Sequence, residues 1–297
     1  MSVTEAEKTT KWGLAEGNEI VPGRTALERL GGGHRYEAYL AFDERLHAIV
    51  VAKLVRPHLV DDEHTLAGLA GEVAMLRRLD HPVILRSFGA ELGGPRPHLV
   101  LEHLEGPRLS SLLRRHGPLP PEQLVPLALQ LCSALHYLAV DGVVHLDLKP
   151  ANTIMSGPPR LIDFSVAISS VDAAALSRPI GTDPYMAPEQ CDPVALGPVG
   201  PAADIFGLGA TLYRAATGKR PFPGADRDSG DPVARWPQLE QSPSAAPLPA
   251  AVADPILACM ARDPRDRPGP AALADALEPV LRAQAKPRLS GLKPRWN

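Results

Sequence analysis

The hydrophobic pattern of the chain changes period near residue 105. Upstream of that point the pattern is strand-like from about 25 to 55. It includes Tyr36-Glu37-Ala38-Tyr39-Leu40 and the run Ala48-Ile49-Val50-Val51-Ala52-Lys53-Leu54-Val55. Leu66, Leu69, Val73, Leu76 and Leu79 then recur at three and four residues, which predicts a helix. His98-Leu99-Val100-Leu101 reads as a buried strand, and Gly106-Pro107 breaks the pattern. Downstream, Pro120-Pro121-Glu122 is a helix start. Leu124, Leu127, Leu131, Leu135 and Leu138 form one apolar stripe, with Pro126 straining its first turn. Further helices are predicted over 203–217, with Ile205, Leu208 and Leu212 inward, over 254–263 and over 270–284. Residues 221–250, rich in Pro, Gly, Ser and Asp, read as loop, and the polar residues 1–22 as a flexible arm. A small sheet-rich half followed by a larger helical half is an α+β arrangement.

Composition narrows the function classes. Of 297 residues, 44% are hydrophobic, enough to bury a sizeable core. The net charge of -3 and a pI near 6.4 argue against a general nucleic-acid binder, which would carry a basic excess. Cys132, Cys191 and Cys259 form no C-x-x-C pair and read as reduced cytosolic thiols. No apolar run has the roughly 18 residues of a membrane span. Glu5 and Glu7 fall where a secretory signal would need an apolar region. The end of the chain is basic, with Lys286, Arg288, Lys293 and Arg295. It reads as a solvated end, or as the start of a juxtamembrane segment in a longer protein.

Charged residues stand out inside this apolar framework. Lys53 lies in a strand that is apolar on both faces, and Glu72 shares the buried face of the helix that follows. Each charge alone is expensive to bury, so the two are expected to pair. His145-Leu146-Asp147-Leu148-Lys149-Pro150-Ala151-Asn152 sets a carboxylate, an ammonium and a carboxamide in one short loop. Phosphoryl transfer needs such a set: Asp147 to orient an acceptor hydroxyl, Lys149 to neutralise the moving group, Asn152 to hold a metal. Asp163, sixteen residues after Asp147, follows an apolar pair and offers the hard oxygen that Mg²⁺ takes. Gly31 and Gly33, ahead of Lys53, are placed for backbone N–H groups to approach phosphate.

These residues and their order resemble the eukaryotic-type serine/threonine protein kinase family, over about residues 23–282. The 145–152 loop is similar to its H-x-D-L-x-x-x-N catalytic loop, with Leu146 in the place of the usual Arg, as in the non-RD type. Asp163-Phe164-Ser165 resembles D-F-G, with Ser165 for Gly. Gly181-Thr182-Asp183-Pro184-Tyr185-Met186-Ala187-Pro188-Glu189 resembles the end of the activation segment. Tyr36 replaces the third glycine of the phosphate loop, where it is expected to make the tip bulkier and stiffer.

The resemblance implies a bilobal fold. Its small antiparallel-sheet lobe, with one main helix, covers 23–104, its helical lobe covers 105–282, and a basic tail covers 283–297. It implies ATP and Mg²⁺, with a protein substrate that offers Ser or Thr. Leu30, Ala38, Val51, Leu101 and Ile154 would sandwich the adenine, and Glu102, His103 and Leu104 would form the hinge. Lys53, oriented by Glu72, would grip the phosphates. Asn152 and Asp163 would hold the metal, and Thr182 would contact Asp147 and Lys149. Asp204 would anchor the catalytic loop, and Arg267 would pair with Glu189. A degenerate kinase acting as a nucleotide-binding or scaffold protein is the alternative.

Overall fold

In the computed structural model, residues 10–283 are described. The alternating region becomes β1 (Glu19–Val21), β2 (Arg24–Gly32), β3 (Tyr36–Asp43) and β4 (Ala48–Val55). Helix α1 (Glu63–Arg78), β5 (Ser87–Glu91) and β6 (His98–Glu102) follow. The six strands form one antiparallel sheet in the order β1-β2-β3-β4-β6-β5. Lys53 pairs in register with Ala38 on one side and Leu99 on the other, so it stands in the middle of the sheet. Asp62 caps α1 by accepting the Thr65 N–H at 2.7 Å, and Arg77 and Arg78 lie in the last turn, where the helix dipole favours cations. The helix buries Leu69, Glu72, Val73 and Leu76. The other side of the sheet carries Tyr39, Ala41, Val50, Ala52, Leu54 and Val100, with Trp12 and Leu14 packed against them.

The helical lobe comprises α2 (Leu109–His116), α3 (Pro121–Val140), the short strands β7 (Val143–Val144), β8 (Thr153–Ile154), β9 (Arg160–Leu161) and β10 (Ile168–Ser169), then α4 (Ser170–Ala174). After these come α5 (Pro188–Cys191), α6 (Pro193–Leu196), α7 (Pro201–Thr217), α8 (Pro232–Arg235), α9 (Ala250–Ala258) and α10 (Pro270–Ala283). The leucine stripe of α3 is fully inside the lobe. Pro126 falls in the second turn, where the carbonyl it leaves unpaired belongs to the exposed Glu122 and meets water. By length and composition alone α3 is apolar enough to cross a bilayer, yet half of that stretch is buried against its neighbours. Helices α7 and α9 approach closely at Gly209, where a Cβ would stand 2.7 Å from the Cys259 Cβ. All three cysteines are free and buried, and burial pushes the Cys132 thiol up to about 12, which makes it inert.

Several expectations need correction. Residues 10–22 are not a free arm: β1 pairs with β2, and the Trp12 indole donates to the Val55 carbonyl at 2.8 Å. A single tryptophan in a polar stretch carries no period, so the pattern concealed the docking. Residues 1–9 of that arm lie outside the described residues, as does the tail from 284 onward. The helix expected at 254–263 spans Ala250–Ala258 instead. It starts at Pro249 and takes Pro255 into its second turn, and the chain then turns into a short 3-10 element capped by Asp263. The 221–250 stretch is mostly loop but contains α8, where the Asp231 side chain accepts the Val233 N–H.

Candidate active site

The residues of the 145–152 loop are placed by α7. Asp204, buried in that helix, accepts the main-chain N–H groups of His145 at 2.7 Å and Leu146 at 2.8 Å. Between these anchors and Asp147 the chain turns through a left-handed Leu146, φ 64°. That conformation costs a non-glycine residue roughly 1–2 kcal/mol, which the two bonds to Asp204 offset. The Leu146 side chain is buried in the core.

The turn delivers Asp147 into a dense network. Its Oδ1 accepts from the Thr182 hydroxyl at 2.6 Å. Its Oδ2 accepts from Lys149 Nζ at 2.6 Å and Asn152 Nδ2 at 3.0 Å. Lys149 Nζ also donates to Thr182 Oγ1 at 2.6 Å. A carboxylate has about four acceptor positions, and three are used. One remains for an incoming hydroxyl.

Across the cleft, Lys53 Nζ donates to Glu72 Oε1 at 2.9 Å and Oε2 at 2.8 Å, and to Asp163 Oδ1 at 3.1 Å. Burial works against the Lys53 charge, but Glu72 and Asp163 outweigh it and hold the ammonium protonated above the usual lysine value. Burial likewise opposes the Asp163 charge. Lys53 and a hydrogen bond from the Ser165 side chain overcome it, and the carboxyl lies well below its ordinary range. Within Asp163-Phe164-Ser165 the left-handed residue is Asp163, φ 67°, and not Ser165. Serine is therefore under no backbone strain at its position; its hydroxyl is used on Asp163 instead.

Tyr36 does not cap the tip of the phosphate loop. It is the first residue of β3, and its side chain turns into the cleft, where its hydroxyl donates to the Thr65 carbonyl of α1 at 3.2 Å. Its ring lies 4.8 Å from Lys53 Nζ, a cation–π contact. Tyr36 thus links the phosphate loop to α1.

A cleft of about 980 Å³ joins the two clusters. It is lined by every residue expected for adenine, hinge and phosphate contacts: Leu30, Gly31, Gly33, Ala38, Val51, Lys53, Glu72, Leu101, Glu102, His103, Leu104 and Ile154. Lys149, Asn152 and Asp163 also line it, while Asp147 and Thr182 stand just beyond, tied to Lys149. An apolar pocket with a few convergent polar groups is what a small ligand needs.

The polar contacts of four residues, Arg160, Gln190, Gln238 and Arg235, lay beyond sequence reasoning. Arg160 of β9 forms an ion pair with Glu102 of the hinge strand. Gln190 donates to the carbonyls of Leu146 at 2.9 Å and Ile180 at 3.0 Å, joining α5 to the catalytic loop. Gln238 donates to the carbonyls of Asp183 at 2.8 Å and Met186 at 3.1 Å, while Arg235 pairs with the Asp183 carboxylate. A polar residue on a loop carries no pattern that names its partner. Arg267 and Glu189 form a buried bidentate pair at 2.6 and 2.8 Å.

The protein kinase domain family matches residues 24–277. The chain is 33% identical over 204 residues to the serine/threonine-protein kinase PknB of Mycobacterium leprae, covering 66% of this chain and 32% of that protein. It is 34% identical over 244 residues to the serine/threonine-protein kinase PkaA of Streptomyces coelicolor, covering 78% and 43%. It is 33% identical over 261 residues to the probable serine/threonine-protein kinase PkwA of Thermomonospora curvata, covering 85% and 34%. The matches span about a third to two fifths of those relatives' lengths. With its sheet lobe, helical lobe and the Lys53, Asp147 and Asp163 clusters facing one cleft, the chain belongs to the protein kinase domain family.

Proposed function

We propose that the cleft binds Mg·ATP and that the chain transfers the γ-phosphoryl group to Ser or Thr of protein substrates. One observation carries this reading: Asp147, with one acceptor position open, shares Lys149 and Thr182 at the edge of a cleft whose far wall is Lys53 held by Glu72. The donor set fits the metal. Asn152 donates through Nδ2 to Asp147, which leaves its Oδ1 as an acceptor, and Asp163 keeps an oxygen beyond the one that Lys53 takes. That suits Mg²⁺, which keeps few protein ligands and takes phosphate oxygens. Bound there, the ion would neutralise charge on the transferring phosphate.

The protein groups divide the remaining work. Leu30, Ala38, Val51, Leu101 and Ile154 would enclose the base, and the hinge at 102–104 would read its edge. Lys53 would hold the α- and β-phosphates. Asp147 would accept a hydrogen bond from the acceptor hydroxyl, orient it and take its proton as the phosphoryl group leaves ATP. Lys149 would follow the γ-phosphoryl with its charge. Thr182 would keep Asp147 and the substrate platform in register. Since Leu146 is apolar and buried, no arginine stands there to lock onto a phosphorylated loop residue, so control would not run through such a lock.

Thermal-shift titration with Mg·ATP, followed by phosphoamino-acid analysis of a generic acceptor protein, tests the reading. Stabilisation of about 2.7 kcal/mol is expected at a hundredfold excess over Kd, with label on Ser or Thr. A shift without any transfer would favour the nucleotide-binding scaffold.

A further inference from the structure

The segment ahead of the family match is tied to the phosphate loop through one side chain. Arg56 follows β4 directly, and its guanidinium bonds three separate parts of the chain. Nε donates to the Gly33 carbonyl at 2.7 Å. Nη1 donates to the Thr10 carbonyl at 2.7 Å and to Glu37 Oε1 at 3.2 Å. Glu37 is itself wholly buried and accepts the Trp12 N–H at 3.1 Å and the Tyr39 hydroxyl at 3.0 Å on its other oxygen. The Trp12 indole, bonded to the Val55 carbonyl, fixes the same segment from below, and the Arg96 guanidinium lies 5.0 Å from its ring. Residues 10–12, Glu37, Arg56 and Gly33 thus form one connected network.

We propose that residues 10–12 and Arg56 act as a strap that positions the phosphate loop for nucleotide phosphates, with Arg56 as its positioning residue. The geometry gives the direction of the effect. Strand alternation puts the Glu37 and Leu54 side chains on the face that carries Tyr39 and Ala52, opposite to Ala38 and Lys53, and Arg56 continues that face. The bond from Arg56 therefore draws the Gly33 carbonyl toward that outer face. A trans peptide is planar, so the His34 N–H points the opposite way, away from that outer face. The strap sets in advance the N–H group that a phosphate oxygen would otherwise have to order on binding. The loop tip is further tied by its own backbone, with Arg56 N–H on the Arg35 carbonyl and Gly33 N–H on the Tyr36 carbonyl, both within 3.0 Å. It follows that whatever engages the residues around Trp12 is felt at the nucleotide phosphates.

This inference rests on the reading of the cleft as an ATP site, and the test separates the two. Affinities for adenosine and for Mg·ADP are measured on the full chain, with hydrogen exchange of residues 30–36 as a second readout. Arg56→Met keeps the stem but removes the donors. Trp12→Phe is a milder change that removes the indole N–H and keeps one aromatic ring. The expected result is an approximately three- to tenfold loss of Mg·ADP affinity in Arg56→Met, the loss of one or two hydrogen bonds. A smaller loss is expected in Trp12→Phe, with faster exchange of the loop and unchanged adenosine affinity in both. Equal loss for adenosine and Mg·ADP, or no change in either variant while the native chain binds both, would overturn the strap. A native chain that binds neither ligand would overturn the ATP reading and the strap with it.

Discussion

Asp204 holds Leu146 in a left-handed conformation from 2.8 Å away, across 58 residues of sequence. The strained turn aims Asp147, so the anchor and the aim are one device. Asp204→Ala leaves two buried N–H groups unpaired beneath a strained residue, at about 1–3 kcal/mol each. Chemical denaturation is expected to show a loss of several kcal/mol. Asp204→Asn keeps one acceptor and is expected to lose about half as much. Equal losses would mean that the bond Asn retains contributes nothing.

The buried Arg267–Glu189 pair joins the end of the activation segment to the helical lobe. Removing one partner leaves the other charged and enclosed. Glu189→Gln is expected to cost about 3–5 kcal/mol, while Glu189→Leu combined with Arg267→Met costs less than the sum of the single changes. A double-mutant cycle measures the difference.

Tyr36 ties the phosphate loop to α1 through the Thr65 carbonyl. Tyr36→Phe keeps the ring over Lys53 and removes the bond, for about 1 kcal/mol. Hydrogen exchange over the first turns of α1 is expected to quicken, and the KM for ATP to rise by about fivefold or less, since 1.4 kcal/mol corresponds to tenfold.

His98 is buried, with Arg24 Nη1 on Nε2 at 3.0 Å and Nδ1 on the Arg96 carbonyl at 2.8 Å. Burial first, and the Arg24 charge after it, hold its pKa below the usual 6.5. In the unfolded chain His98 therefore takes up a proton at higher pH than in the folded one. Its contribution to stability is full above 6.5 and is lost as pH falls through the folded value. Melting curves between pH 7 and 5 are expected to show a fall that is shallower in His98→Gln.

Much of this site was legible from charge placed in apolar repeats. Lys53 in a strand and Glu72 on a buried helix face had to pair, and they do at 2.8 Å. The spacing of Asp147, Lys149 and Asn152 on one short loop made their network foreseeable. The direction of Tyr36 was not legible. Strand alternation offers it to the cleft, but nothing local shows that Thr65 stands within reach. Trp12 escaped notice because docking by one indole and two backbone contacts produces no periodicity. Arg160, Gln190 and Gln238 lie on short or irregular elements, and their partners are set by the fold alone.

Asp147 is proposed to direct phosphate from ATP to a hydroxyl. This role is tested most directly with γ-labelled ATP, Mg²⁺ and a generic Ser/Thr acceptor protein, comparing the native chain with Asp147→Asn at matched nucleotide occupancy. Label on Ser or Thr is expected with the native chain, and a loss of at least about a hundredfold in the variant, the scale of removing a general base. Undiminished transfer by Asp147→Asn, or none by a native chain that binds Mg·ATP, would contradict the proposal.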